Sequence, residues 1–275
     1  MHFIPEARKI PILMYHSIAD DASPKFKSFA VSPSLFADQM AYLQQHDYTP
    51  INVTQLVHTY MQKKTLLPAR PIVITFDDGF ADFFTHALPV LQQYNFTATL
   101  YITTAFVNGT SKWLESEGEA MRRLLTWSQI HEINAAGIEC GAHSHTHPQL
   151  DVLDLAKMRE EVVSCKKVLE DHLQEEVSSF AYPYGYYTTA VKQAVQEAGY
   201  TSACAVKFTL SSEKTDPFAL ARLKVSSDTS VKLLGELLTT GPGAMTALML
   251  RARTPAWQLV RRSSILMSRY AVQKH

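Results

Sequence analysis

IVITFDDGFADFFTHALPVLQQY, residues 72–94, carries a complete structural unit. Its first five residues are apolar or β-branched, a run of the length and type that forms a buried strand. Asp77 and Asp78 close that run, and Gly79 turns the chain. Beyond the turn, Phe80, Phe83, Phe84, Ala87, Leu88, Leu91 and Tyr94 recur at helical spacing and make one apolar face, so their rings belong to a core.

The same strand-then-helix pattern repeats on both sides of this unit. Short apolar runs at residues 10–15, 98–102, 138–142, 179–182, 202–206 and 220–225 predict further strands. Ser32 followed by Pro33 predicts a helix start, an N-cap and then the residue best suited to the first helical position. Residues 154–172 and 188–198 also read as helices, the second closed by Gly199. Alternation of this kind predicts an α/β fold around a parallel sheet. The connection over residues 107–123 is long for such a fold, and either borders a cleft or is a surface excursion packed by Trp113.

With 275 residues, 46% of them hydrophobic, the chain can bury one large core, and a single main domain is expected. Formal net charge is zero, which gives no electrostatic footprint for nucleic acid. Cys140, Cys165 and Cys204 form no CxxC pair and do not suggest a disulfide framework. The charge is unevenly spread, however. Six of the 26 Lys and Arg residues fall after residue 240 with no acid among them, which leaves 20 bases against 26 acids in residues 1–240. Two units are therefore expected: residues 1–240, and a basic helical extension over 241–275. In the extension Trp257, Val260 and Met267 lie roughly opposite Arg261, Arg262 and Arg269. Such a helix either rests on an anionic membrane surface or docks on the domain. The short apolar run near the N-terminus is no signal-peptide core, and no stretch is long enough to span a bilayer, so a cytoplasmic protein with peripheral membrane contact is expected.

Chemistry concentrates at the predicted strand ends, where parallel α/β folds collect their ligands. Two adjacent carboxylates, Asp77 and Asp78, are costly there without a cation or a task. If one binds a metal, the other can accept a proton from water. Gly141-Ala142-His143-Ser144-His145-Thr146-His147 closes another strand, and His143 and His147 have a spacing that can converge on one ion, with His145 pointing elsewhere. Two histidines and a carboxylate leave positions open for water and substrate. Ala181-Tyr182-Pro183-Tyr184-Gly185 makes a turn whose backbone N–H groups can face a developing oxyanion. Tyr15-His16 closes the first strand.

Taken together, TFDDG at 75–79, HSHTH at 143–147 and AYPYG at 181–185 resemble the polysaccharide deacetylases of carbohydrate esterase family four, the NodB homology domain. The resemblance covers roughly residues 10–225 and implies a distorted (β/α) barrel. It implies that Asp77 is the catalytic base, and that Asp78, His143 and His147 bind a divalent metal, zinc first, with cobalt, nickel or manganese as alternatives. It also implies that the backbone of Tyr184 helps form the oxyanion hole. The LMYH segment at 13–16 looks like the branch of poly-N-acetylglucosamine deacetylases, in which its histidine, here His16, is the general acid.

Two departures stand out. Ala181 occupies the place of an arginine that orients the base in many relatives, and no histidine follows His172 until His275. Arg222 either replaces that arginine from the last strand or is an ordinary structural residue. The expected activity is metal-dependent removal of acetyl groups, N-acetyl before O-acetyl, from a polysaccharide or oligosaccharide. The alternatives are a deacetylase of a small amino-sugar, lipid-linked or nucleotide-linked intermediate, and a carbohydrate-binding relative without activity.

Overall fold

The structure, a computed structural model, describes residues 9–62, 67–207 and 209–241, without the side chains of residues 60–62. The predicted extension, apart from Gly241, lies outside the described residues, and so does its helix. Among the described residues no helix is long and apolar enough to cross a membrane.

The main sheet is parallel throughout. Its strands are β1 (Ile12–Tyr15), β2 (Thr49–Ile51), β3 (Pro71–Phe76), β4 (Thr99–Ile102), β5 (Glu139–Ala142), β6 (Ser179–Ala181), β7 (Ser202–Cys204) and β8 (Leu223–Lys224). In space the order is β7, β6, β5, β4, β3, β1, β8, with β2 also pairing β3. Leu223 pairs with Leu13 of β1, while Leu220, three residues earlier, forms a parallel bridge with Cys204 on the free edge of β7. One short segment thus touches both edges of the sheet. It closes the sheet into the expected distorted (β/α) barrel and leaves little edge unpaired.

Strand alternation sorts the core into two parts. Ile72, Ile74, Leu100 and Phe180 face the surrounding helices, whereas Val73, Tyr101, Ala181, Cys204 and Leu220 cluster within the barrel. On β3 the same alternation gives Thr75 and Asp77 the interior face of Val73. The floor is plugged by α2 (Val53–Gln62), whose Val53, Leu56 and Val57 join the interior cluster. Its first N–H groups are satisfied by Thr99 Oγ1 and by the Glu139 carboxylate.

The outer helices begin at caps. Ser32 accepts from the Leu35 N–H ahead of α1 (Pro33–Gln45), and Asp154 from Lys157 ahead of α5 (Leu155–Leu173). Thr188 does the same for α6 (Thr189–Glu197). Each cap bond stabilises by about 1 kcal/mol. The helix expected after Gly79 is present from Phe83 to Gln93 with its apolar face in the core, but its first turn, Phe83–Ala87, is π-helical and leads into a short α3 (Leu88–Gln93). Pro89, in the first turn of α3, has no N–H to donate and crowds the turn before it. Strand β2 and the helices α2, α4 (Trp127–Ala135) and α7 (Val231–Thr240) were not anticipated.

Candidate active site

All four predicted strand-end motifs meet at the C-terminal rim of the barrel. His16, Asp77, Asp78, His143, His147, Tyr184 and Lys224 line one cavity of about 390 Å³, walled by Phe26, Phe29, Trp113 and Leu114.

Asp77 follows β3 and donates its N–H to the Tyr15 carbonyl, which registers it against β1. Its carboxylate is buried and held bidentately by Arg222, with Nη1 to Oδ1 at 2.6 Å and Nη2 to Oδ2 at 2.8 Å. Arg222 is 0% exposed and also donates to Thr75 Oγ1. Burial acts first on Asp77 and raises its proton affinity, but Arg222 and then His143 outweigh it, and the carboxyl lies below its usual range. For Arg222, burial works against the charge and the Asp77 carboxylate more than restores it. The planar fork therefore fixes both the orientation and the ionisation of Asp77.

Asp78 lies in a left-handed turn, φ 77°, with Gly79 next at φ 80°. That turn swings its carboxylate away from Asp77 and toward the segment after β5. His143 Nε2 lies 3.4 Å and His147 Nε2 3.1 Å from Asp78 Oδ1, and all three side chains are buried. Getting both rings there costs backbone strain, because Ser144 and His147 also have positive φ, 63° and 59°. A left-handed residue other than glycine costs ~1–2 kcal/mol, and such strain gathers at functional sites. Gly141 makes room for the approach, since a Cβ there would meet the Tyr101 ring at 2.6 Å.

The donor chemistry of this trio fits a cation. His143 Nδ1 lies 2.8 Å from the Ala181 carbonyl, which can only accept, so that nitrogen carries a hydrogen and, in the neutral ring, Nε2 is left with its lone pair on the Asp78 side. Asp78 Oδ1 is itself a buried oxygen with no hydrogen-bond donor. A carboxylate oxygen facing two imidazoles in this way is costly unless a positive charge lies between them. Burial raises Asp78, yet His147 and then His143 hold it well below the carboxylate range. Burial lowers both histidines. For His143 the Asp77 and Asp78 carboxylates reverse the direction, and for His147 they do not. The ligand atoms of Asp78, His143 and His147 lie within 4.8 Å of one another, so the group could hold a metal ion.

His145 is turned aside, as expected, with Nδ1 2.9 Å from Thr104 Oγ1. His16 lies on the cavity wall with its ring edge on Phe29, and burial pushes its imidazole down to about 4. Tyr184 has φ 59° and ψ 1° at the centre of its turn, and its ring packs against His147 at 4.8 Å and is 44% exposed at the rim. Gly185 beside it is required by space, because a Cβ would lie 2.5 Å from Val206.

The walls come from two loops that sequence reasoning left largely unassigned. Trp113, in the long 107–123 connection, stacks on His147 at 5.0 Å, so that connection does border the cleft. Phe26 and Phe29 arrive from the segment after β1 and pack with Phe80, Leu114 and Leu124 in a separate small core. Arg122 stitches the two loops together. Its guanidinium pairs with Glu119 at 2.8 Å, Asp21 at 2.9 Å and Asp82 at 3.7 Å. Glu119 in turn accepts the Ser23 N–H, and Asp82 the Ser17 hydroxyl. No local motif marks these partners.

Comparison with known proteins places this chain in a family. The polysaccharide deacetylase family model matches residues 64–203, just over half of the chain. YxkH of Bacillus subtilis, named as a polysaccharide deacetylase, is 26% identical over 82% of this chain and 75% of its own length. A poly-β-1,6-N-acetyl-D-glucosamine N-deacetylase of Staphylococcus aureus is 22% identical over 75% of this chain and 71% of its own. The Streptococcus pyogenes deacetylase PplD, solved with acetate, superposes with a TM-score of 0.73 at 25% identity, covering 84% of this chain and 99% of that one. The chain belongs to the polysaccharide deacetylase family.

Proposed function

We propose that this deacetylase is metal-dependent and removes N-acetyl groups from N-acetylglucosamine units of a polysaccharide or oligosaccharide. The observation that carries the reading is the buried Asp78, His143 and His147 trio set beside an Asp77 already locked by Arg222. An ion held by the trio, zinc first, would polarise the acetyl carbonyl and acidify the attacking water.

The chain's own groups do the rest. Asp77 is ionised and takes a proton from that water, and Arg222 keeps its carboxylate in one plane while the proton arrives. The Tyr184 backbone N–H, in the turn that lines the cavity, donates to the oxyanion. His16 lines the same cavity beside Phe29 and protonates the departing amine. Burial leaves its imidazole neutral at rest, so the proton it delivers is taken up from solvent water as negative charge builds up beside it. An amine needs that proton more than an alcohol does, which favours amide over ester substrates. The name of the S. aureus relative points to the same sugar. Every residue assigned to the reaction falls within residues 1–240, which we take as the catalytic unit. The 241–275 segment is proposed as a basic addition that contacts anionic membranes.

The test is acetate release from N-acetylglucosamine oligomers by protein as purified, after chelation, and after Zn²⁺ is restored. Loss on chelation and recovery with the ion are expected. No release under any of the three conditions would overturn the reading in favour of a carbohydrate-binding relative without activity.

A further inference from the structure

Charges in the cavity pair off except at Lys224 and at Glu117, whose carboxylate accepts from the Ser116 hydroxyl. Arg222 is spent on Asp77, and Asp78 is enclosed by two imidazoles. Lys224, the last residue of β8, also lines the cavity, beside Met14, its register partner on β1, and near His16. Its Nζ lies 3.5 Å from the centre of the Phe29 ring and 3.3 Å from Ser28 Oγ. Among the described residues no carboxylate comes within ion-pair distance of it. An ammonium has three N–H donors, and one hydroxyl with one ring face does not replace the water it loses at an apolar wall. Burial accordingly pulls Lys224 down to about 8, with Asp228 opposing only in part.

Phe29 fixes where this cation stands. One ring meets the His16 imidazole edge-on at 4.9 Å and carries the Lys224 ammonium on its face, so Lys224 is a neighbour of the group that faces the leaving amine. A substrate placed for cleavage therefore brings its sugar ring, or the next substituent along, to the lysine. Resting on the deacetylase reading above, we propose that Lys224 is a subsite for an anionic group on the acetylated glycan, a phosphate ester or a carboxylate attached at or next to the sugar that loses its acetyl group. Such a group would complete the lysine's unmet pairing by a charge-assisted hydrogen bond, and neutral glycans would lack that contact.

The test uses Zn²⁺-loaded protein and three probes: a neutral N-acetylglucosamine trimer, the trimer esterified with phosphate, and the trimer carrying a lactyl carboxylate. One charge-assisted contact predicts kcat/KM roughly tenfold higher on an anionic probe than on the neutral one. The excess should shrink at high salt, collapse in Lys224→Met and persist in Lys224→Arg. Whichever anionic probe shows it identifies the source of the charge. Equal rates on all three probes would overturn the subsite while leaving the deacetylase reading intact, and so would an excess that survives Lys224→Met. No acetate from any probe would overturn both.

Discussion

The floor and the walls of the cavity are built on different principles. The floor consists of strand ends: Asp77 and Asp78 after β3, His143 and His147 after β5, and Arg222 just before β8. Each group is placed by a few residues of backbone on a rigid parallel sheet, and left-handed turns at Asp78 and His147 aim the side chains. The walls are loops, and they hold their shape through ion pairs and aromatic contacts between segments about a hundred residues apart, as in Arg122 to Asp21. On the proposed mechanism the floor, with His16 just after β1, determines whether chemistry occurs, and the loop walls determine what is admitted to it. Substitutions in the two regions should fail in different ways.

The largest effect is expected at the floor. His147→Ala or Asp78→Ala removes one of three candidate ligands, so metal content should fall and turnover should drop by at least the ~100- to 10,000-fold typical of a lost catalytic function. Elemental analysis beside an acetate assay checks this, and full occupancy in either variant would remove that residue from the ligand set. His16→Ala comes next. It should reduce hydrolysis of an N-acetyl sugar by ~100-fold or more, but spare most activity on an aryl acetate whose phenolate leaves without a proton. Equal losses on both substrates would make His16 structural.

Arg222→Met should be severe in a second way. It leaves Asp77 buried without its partner, a loss of about 3–5 kcal/mol of stability, together with slower turnover and retained metal. Thermal unfolding and kinetics on one preparation would show both, and an unchanged melting temperature with normal turnover would make the observed fork irrelevant. At the walls, Arg122→Met should raise KM several-fold on oligomers while kcat changes little, because Trp113 and Phe26 lose their common anchor but no reacting group moves. A fall in kcat with KM unchanged would blur the distinction between the two regions. Removing residues 241–275 is expected to have the smallest effect, leaving hydrolysis of a soluble substrate intact and weakening association with anionic vesicles. Absence of vesicle binding by the full chain would end the membrane proposal.

The same contrast explains what could be read from the sequence. TFDDG and HSHTH are legible because the residue types and their spacing already imply the strand end, the turn and the converging donors. Arg222 was reachable only as a conjecture, since its partner is 145 positions away and only the alanine at position 181 raised the question. Lys224 and the Arg122 network gave no signal, because an unpaired lysine and a stitched loop are defined by what surrounds them in space. The missed elements have smaller causes. Strand β2 is three residues with a proline in the middle, too short to show alternation. Helix α4 did carry a readable cue, the capping box of Thr126 and Gln129, placed directly after the long loop. The π-helical turn Phe83–Ala87 went unread because apolar periodicity does not register where Pro89 withholds a backbone donor.

The central claim is a division of labour between two adjacent carboxylates, one for the metal and one for the proton. Asp77→Asn tests it most directly, with metal content and acetate release measured on the same sample. The amide keeps the shape of the carboxylate but cannot take the proton. Metal should therefore remain near the wild-type level while turnover falls ~100- to 10,000-fold. Near-normal turnover, or loss of the metal with Asp77 changed, would contradict the account.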